Sequence, residues 1–375
     1  MKKMLFGAAM LCVALTGCEN EDFTAATQSQ VLRFDAPAMV KTTRANVMGE
    51  ISGVKYPEAE NFTVFCKSYT GKFNGWTASD DAEDYFAVEG EVASSGFTVG
   101  TGNYWATAVT HYWPEIEYSL AFAAYSPAEL GAAAATATIS HTAQGLQIEN
   151  FKTEADADEQ YDLMYSDRKY DLNKTNANSA VPLVFNHALS SIVFSSQKAS
   201  TDVDYEITKI EVKGKFSQEG DFNQGITEVA ASGSSVYSET AVPTWSNLVS
   251  ATTDVTYAPN FSTFSVPAGS PAPFTSGNSA MLLIPQSVPE DATVTVYYTK
   301  ITNPGTAAEK EMETVAEIKL RDFEYVESGA SHKITNWEMG KRYVYRIAFG
   351  QNTRIYFEPS VVDWVQMPTL VYTIQ

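Results

Sequence analysis

The stretch EYSLAFAAYSP, residues 117–127, alternates apolar side chains with intervening residues. Successive side chains of an extended chain point to opposite faces, so every second residue lies on the same face. Here that face carries Tyr118, Leu120, Phe122 and Ala124. The stretch therefore predicts a β-strand with an apolar face directed at a core.

The same period of two recurs along the chain. In each of three further stretches it places a set of residues on one face of the strand. The sets are Thr208, Ile210 and Val212 in EITKIEVKGKF (206–216), Val294, Val296 and Tyr298 in ATVTVYYTK (292–300), and Tyr343, Tyr345, Ile347 and Phe349 in KRYVYRIAFG (341–350). Residues 306–320 are the best helix candidate in the chain, but residues 312–320 also alternate. The turn-rich TNPGT (302–306) favours a hairpin of this stretch with 293–299. These patterns indicate antiparallel strands with one buried face.

The fold class predicted from these strands is all-β, with two antiparallel β-sandwich domains in tandem. A chain of 375 residues is long enough for two domains of common size. The polar stretch DLNKTNANSAVP (171–182) separates two strand-rich regions, which predicts domains at 31–178 and 179–375.

The N-terminus has the layout of an export signal. Lys2 and Lys3 precede an apolar run over residues 4–15, which is too short to span a bilayer. The sequence Leu15-Thr16-Gly17-Cys18 resembles a bacterial lipobox, which implies a signal peptide at 1–17 and a lipid on Cys18. The polar residues 18–30 are then a lipidated, flexible tether. The two or three acyl chains of such a lipid anchor would hold the protein stably on a membrane.

Three cysteines occur in the chain, at positions 12, 18 and 66. Cys12 leaves with the signal and Cys18 is acylated, so the mature chain has no partner for an intramolecular disulfide. Cys66 alternates with Phe62 and Val64 in NFTVFCKSY (61–69). We therefore predict that Cys66 is a buried, inert thiol.

The chain is strongly acidic, with a formal net charge of -20 that becomes -22 once the two lysines of residues 1–17 are lost. Such a charge argues against binding to nucleic acid, which needs basic patches. No later segment is apolar enough to cross a membrane, so we expect membrane contact only through the lipid anchor.

Catalytic and metal-binding motifs are missing from the sequence, and we predict neither an enzyme nor a cofactor. The four histidines are far apart in the sequence and do not have the spacing of metal ligands. They are His111, His141, His187 and His332. The acidic run TEADADEQYD (153–162) lacks the glycine and final glutamate of a calcium loop, which favours a solvated loop. His187 is expected to form a hydrogen bond within the core.

The order and spacing of several landmarks resemble the fimbrillin family, the subunits of Bacteroidales type V pili. The landmarks are the lipobox at Cys18, QVLRFDAPA, KTTRAN, THYWPEIEYSLAFAAYSP, EQYDLMYSD, VPLVFNHALSSIVF, SAMLLIPQ, NWEMGKRYVYRI and IYFEPSVVDW. The resemblance implies two transthyretin-like sandwiches and an outer-membrane lipoprotein precursor that becomes part of a fimbrium. It also implies adhesion to a host or bacterial surface ligand.

The resemblance further implies assembly by strand exchange. An arginine-specific protease would cut between Arg44 and Ala45, with Arg33 as the alternative cut site. The cut would remove a strand at about 31–40, in which Leu32, Phe34 and Ala36 alternate with Val31, Arg33 and Asp35. A strand of another fimbrial subunit would refill the groove, which gives a head-to-tail polymer. The candidate donor face is Leu370, Tyr372 and Ile374, although this strand could instead close its own domain.

A second function class is a surface glycan-binding lipoprotein that keeps its lipid and remains monomeric. The chain contains six tryptophans, 20 tyrosines and 20 phenylalanines, and exposed aromatic rings would support this alternative. Most of the rings that can be placed lie at alternating strand positions, which is typical of a core. The fimbrial interpretation is therefore favoured.

Overall fold

The computed structural model describes residues 30–36, 56, 60–71, 82–86, 90–99, 102–132, 134–142, 145–176, 179–199, 201–225, 227–231, 234–238, 242–275, 280–327, 330–350 and 355–363. Their secondary structure is almost entirely β, with short 3-10 turns at Ala157–Glu159, Lys174–Asn176 and Leu320–Asp322. The all-β prediction is confirmed. Among the described residues, no helix has the length and apolar character needed to cross a membrane.

The strands before residue 190 are β1 (Phe34–Asp35), β2 (Phe62–Thr70), β3 (Glu83–Asp84), β4 (Glu91–Val99), β5 (Gly102–Thr107), β6 (Tyr118–Ser126), β7 (Thr138–Thr142), β8 (Gly145–Lys152), β9 (Met164–Ser166), β10 (Lys169–Leu172), β11 (Val181–Pro182) and β12 (Phe185–His187). Except for β7 and β8, they form one sheet in the order β11-β1-β5-β4-β2-β6-β9-β12, with β3 paired to β2 and β10 paired to β6.

The later strands are β13 (Ser190–Lys198), β14 (Val203–Gly214), β15 (Ser217–Asn223), β16 (Thr227–Ala231), β17 (Ser234–Ser238), β18 (Thr244–Ser250), β19 (Val255–Tyr257), β20 (Phe264–Ser265), β21 (Ala272–Pro273), β22 (Met281–Leu283), β23 (Gln286–Ser287), β24 (Thr293–Thr302), β25 (Lys310–Lys319), β26 (Glu324–Glu327), β27 (Ala330–Lys333), β28 (Asn336–Trp337), β29 (Lys341–Phe349) and β30 (Ile355–Asp363). Two five-stranded sheets follow the orders β21-β13-β29-β30, with β22 on β13, and β19-β14-β24-β25, with β20 on β14.

These two five-stranded sheets bury their apolar faces against one another. Side chains of β13 and β29 share one core with side chains of β14 and β24, as Phe194 and Tyr345 do with Ile210 and Val296. The predicted hairpin is confirmed, because β24 and β25 pair antiparallel throughout their length. The predicted core face of β29 is also confirmed, since Tyr343, Tyr345, Ile347 and Phe349 are all buried.

The strand that opened the sequence analysis, β6, is buried on both faces. Leu120, Phe122 and Ala124 belong to one core, whereas Ala123 and Tyr125 belong to a second. The prediction of a single buried face was therefore wrong for this strand, and Tyr118 at its start is 42% exposed. The reason is a four-stranded sheet, β18-β15-β8-β7, whose apolar residues contribute to the second core.

A β-bulge corrects the predicted face of β14. The register against β24 shifts between Ile207 and Lys209, so that Ile207 is buried and Thr208 is exposed. The extra residue of a bulge reverses the alternation on one side of it. The predicted face therefore holds for Ile210 and Val212 but not for Thr208.

Strands from both sides of the predicted boundary at 178/179 share two sheets. β11 and β12 join the large sheet of the first half, and β15 pairs with β8. The division into domains at 31–178 and 179–375 stays a prediction, and these pairings connect the two regions directly.

Candidate functional site: the N-terminal strand

Residues 30–36, QVLRFDA, here called the N-terminal segment, lie between two other parts of the chain. On one side, the Leu32 N–H donates to the His111 carbonyl at 2.8 Å, and the Trp113 N–H donates to the Gln30 carbonyl at 2.9 Å. Paired main-chain bonds of this kind make the segment one strand of the large sheet.

On its other side, the segment runs parallel to β11. The Val181 N–H donates to the Arg33 carbonyl and the Leu183 N–H donates to the Asp35 carbonyl, both at 2.8 Å. Phe34 is thus opposite Val181 on one side and opposite Trp105 of β5 on the other. We call the segment and the residues that line it, 104–105, 111–113 and 181–183, the strand site.

The inward face of the segment fills a buried aromatic core. Leu32, Phe34 and Ala36 are 2%, 0% and 0% exposed. The Phe34 ring makes edge-to-face contacts with Phe62 at 6.1 Å and Phe122 at 5.7 Å between centroids. Such pairs add about 0.5–1.5 kcal/mol each beyond the burial of their area. The predicted apolar face of this strand is confirmed.

Tyr56 closes the far end of the segment. Its N–H donates to the Ala36 carbonyl at 2.7 Å, and its hydroxyl lies 2.6 Å from the Ser126 hydroxyl. Burial raises the pKa of the Tyr56 phenol, so the group stays neutral and can serve as a donor. Its ring also packs on Trp105, with centroids 5.7 Å apart.

The outward face of the segment carries Val31, Arg33 and Asp35, and it too is largely covered. Arg33 is only 4% exposed, and its guanidinium carbon lies 5.2 Å from the centre of the Tyr104 ring. One carboxylate oxygen of Asp35 is buried and finds no hydrogen-bond partner among the described residues.

His111 is held in place beside the segment. Its Nε2 lies 3.0 and 3.1 Å from the two carboxylate oxygens of Glu91, and its ring packs at a tilt against Phe86 with centroids 4.3 Å apart. These contacts fix the 111–113 backbone, whose carbonyl and N–H groups hold the segment. Sequence analysis missed this role, because a lone histidine gives no signal for it.

The remaining histidines have structural surroundings. His187 Nδ1 lies 2.8 Å from the Asp162 carboxylate, and both side chains are 1% exposed, which confirms the predicted core hydrogen bond. Burial lowers the pKa of His141 to about 3. Within the described residues, no group of three histidine, cysteine, aspartate or glutamate side chains is arranged to hold a metal ion.

The acidic run 153–162 is partly structural rather than simply solvated. Asp162 pairs with His187, and Gln160 is 1% exposed. Gln160 accepts a hydrogen bond from the Leu282 N–H at 2.7 Å and donates one to the Glu154 carbonyl at 2.8 Å. The run therefore connects the two halves of the chain.

Cys66 is a free, buried cysteine, as predicted. Burial raises the pKa of its thiol well above the ordinary value, and the nearby carboxylates of Asp84 and Glu91 act in the same direction. A thiol held in its neutral form is a poor nucleophile.

Most of the described tryptophans are also core residues. Trp105, Trp113 and Trp337 are buried, and half-buried Trp245 donates its indole N–H to the Ala188 carbonyl at 2.7 Å. None of these four rings is an exposed platform for a sugar. Trp76 and Trp364 lie outside the described residues.

Several residues predicted from the sequence also lie outside the described part of the chain. They are Cys18, the cut site at Arg44 and Ala45, and the donor-strand residues Leu370, Tyr372 and Ile374. Their roles stay predictions. The alternative cut site, Arg33, is described and lies buried within a strand that is paired on both sides.

Solved structures that share this fold include two proteins from Bacteroides. A fimbrial protein from Bacteroides vulgatus ATCC 8482 matches with a TM-score of 0.56 and 15% identity, covering 88% of this chain and 99% of that one. A candidate cell adhesion protein from Bacteroides uniformis ATCC 8492 matches with a TM-score of 0.50 and 13% identity, covering 89% and 98%. At these identities the likeness concerns the fold alone.

A sequence comparison identifies the family. No curated protein sequence matches the chain at a significant level. The model of the fimbrillin-like family matches residues 60–364, which is most of the chain and includes the 111–113 and 181–183 walls of the strand site. The chain therefore belongs to the fimbrillin-like family, whose members are structural fimbrial proteins rather than enzymes.

Proposed function

We propose that this chain is the lipoprotein precursor of a fimbrial subunit and that its N-terminal segment is a strand that leaves during assembly. One observation carries the proposal. The segment lies between β5 and β11 and is held by main-chain hydrogen bonds and by four buried apolar side chains, those of Val31, Leu32, Phe34 and Ala36. A replacement strand from another subunit would restore the same contacts.

Removal of the segment would leave a groove that strongly favours the binding of a new strand. The N–H groups of Tyr56, Trp113, Val181 and Leu183 would lose their partners, and the Phe34 pocket would open to water. Each buried polar group without a partner costs about 1–3 kcal/mol. Strand addition satisfies these groups through the main chain, whereas the pockets select the side chains.

The cut that frees the segment is best placed after Arg44. In residues 18–60 the arginines are Arg33 and Arg44. A protease must bind an extended, accessible chain, and Arg33 is buried in a paired strand. Cutting after Arg44 would leave the whole segment, with Cys18 and its lipid, on the discarded side. Cys18 would then be a temporary tether to the outer membrane.

Assembly follows if each subunit has one groove and one donor strand. The proposed donor face is Leu370, Tyr372 and Ile374, which alternate as groove-filling side chains must. One groove and one donor give a head-to-tail contact that does not close, so the fibre grows. In the fibre the subunit would serve cell adhesion.

N-terminal sequencing of the protein from whole cells and from isolated fimbriae tests the proposal. We expect a lipidated N-terminus at Cys18 in cells and a free Ala45 in fimbriae. Arg44→Ala should block trimming and assembly, whereas the control Arg321→Ala, which changes a partly exposed arginine of the other half, should not. Normal fimbriae from Arg44→Ala protein would overturn the cut-site assignment.

The lipid is tested separately. Cys18→Ser should abolish incorporation of labelled palmitate and retain the signal peptide, whereas Cys12→Ser should change neither. Labelling of the Cys18→Ser protein at wild-type levels would place the lipid elsewhere and contradict the temporary tether.

A further inference from the structure

We infer that the strand site takes a strand from a different kind of subunit, one with a lysine or arginine at the position of Arg33. The occupant would not be the C-terminal strand of a second copy of this chain. This inference rests on the proposed strand exchange and specifies the partner.

The strand site contains a subsite for a cation. Tyr104 lies on β5 directly before Trp105, which pairs with Phe34, so Tyr104 belongs to the wall that stays when the segment leaves. The guanidinium of Arg33 lies over its ring, 5.2 Å from the centroid, and only 4% of Arg33 is exposed. A cation withdrawn from water over an aromatic face is attracted more strongly than one at the surface.

The proposed donor segment cannot supply that cation. Residues 364–375, WVQMPTLVYTIQ, contain neither lysine nor arginine, so no register of this segment brings a positive charge over Tyr104. The conclusion does not depend on how the segment would align in the groove.

The best apolar alignment of that segment raises a second conflict. Placing Leu370 and Tyr372 at the positions of Leu32 and Phe34 puts Ile374 at the position of Ala36. Ala36 is fully buried in the aromatic core. A branched side chain of four carbons in the place of a methyl group overpacks such a site.

The occupant that fits is therefore a strand with a large apolar residue, a cation, an aromatic residue, any residue and a small residue in succession. This pattern repeats Leu32 to Ala36, which the pockets already accommodate. A chain whose groove rejects its own C-terminal strand belongs at a junction between unlike subunits rather than in a uniform shaft.

A peptide competition tests this choice of partner. A site for a sequence-specific protease is placed between residues 40 and 44 of the full chain, and cutting leaves the N-terminal segment bound without a covalent link. Four synthetic peptides then compete with it: QVLRFDA (30–36), its Arg33→Lys and Arg33→Leu versions, and PTLVYTIQ (368–375). Mass spectrometry measures the fraction of the segment that is displaced.

We expect the parent and Lys peptides to compete alike, and the Leu peptide to compete about tenfold less well, as loss of a desolvated cation–π contact predicts. PTLVYTIQ should be weaker still. Tyr104→Leu should remove the difference between the Arg and Leu peptides. Tyr297→Leu, which removes a ring 5.4 Å from Lys209 on a distant sheet, should preserve it.

The outcomes separate the two hypotheses. Equal competition by the Arg and Leu peptides, or strong competition by PTLVYTIQ, would overturn the inference and leave strand exchange intact. If even the parent peptide displaces nothing, the proposed exchange itself fails and the inference falls with it.

Discussion

Phe34→Ala should loosen the N-terminal segment without unfolding the rest of the molecule. Phe34 is fully buried and makes edge-to-face contacts with Phe62 and Phe122. Truncation of a buried phenylalanine costs about 3–5 kcal/mol. The segment is short and held on both sides mainly by main-chain bonds, so we expect most of this loss to lower the free energy of its local opening.

Hydrogen exchange of individual amides measures that opening. The N–H groups of Trp113, Val181 and Leu183 donate to carbonyls of the segment and become free only when it leaves. A loss of about 3 kcal/mol predicts exchange faster by about two orders of magnitude at these amides. The Phe274 amide, bonded to the Phe194 carbonyl at 3.0 Å in the other half, serves as the internal control and should not change.

A conservative variant sharpens this test. Phe34→Leu keeps much of the volume and should cost about 1 kcal/mol, which predicts exchange only several times faster. Unchanged exchange at Val181 and Leu183 in the Phe34→Ala protein would show that Phe34 does not hold the strand, and the strand site as described would be refuted.

Three further predictions follow from buried groups. Because the pKa of His141 falls to about 3 on folding, the unfolded chain binds a proton first as the pH drops, and the free energy of unfolding should decrease by roughly 1.4 kcal/mol per pH unit between about pH 6.5 and about pH 3. Urea titrations should show that His141→Leu lacks this part of the slope. Cys66 should react with a thiol reagent only on unfolding, and rapid labelling in native buffer would contradict its burial. Gly145→Ala should destabilise by roughly 1–3 kcal/mol in the same titrations, because its φ is +90° and the new Cβ would lie 2.8 Å from the Gln224 amide oxygen. Gly71→Ala has a similar φ of +78° but no described atom within 4 Å of the new Cβ, so it should cost less.

The alternation of apolar residues was sufficient to predict the pairing of strands where a strand pairs with its neighbour in sequence. The alternation of 293–299 and 306–320, separated by a turn, predicted the hairpin of β24 and β25, because short connections favour antiparallel pairing. The core faces of β29 and of the N-terminal segment followed from alternation alone, since burial of one face requires it.

Contacts between distant segments could not be predicted in the same way. Alternation shows which face of a strand is apolar but not which strand lies beside it. The parallel pairing of Phe34 with Val181 joins residues 147 positions apart, and the sequence indicated only that a strand-rich region follows the polar stretch 171–182. The bulge at Thr208 was hidden as well, because an inserted residue changes the period without changing the composition.

The strand order β11-β1-β5 explains why loss of one short strand would have a large effect. Neighbouring strands lie about 4.8 Å apart, so without β1 the edges of β5 and β11 would be separated by roughly 9.6 Å, too far to pair with each other. Both edges belong to a sheet whose aromatic core is packed around Tyr56, Phe62, Trp105 and Phe185, and its closure would force those rings to repack. The protein cannot close this gap by itself, whereas a suitable strand from another subunit can fill it. The free energy released when the strand binds would then stabilise the contact between the two subunits, as polymerisation requires.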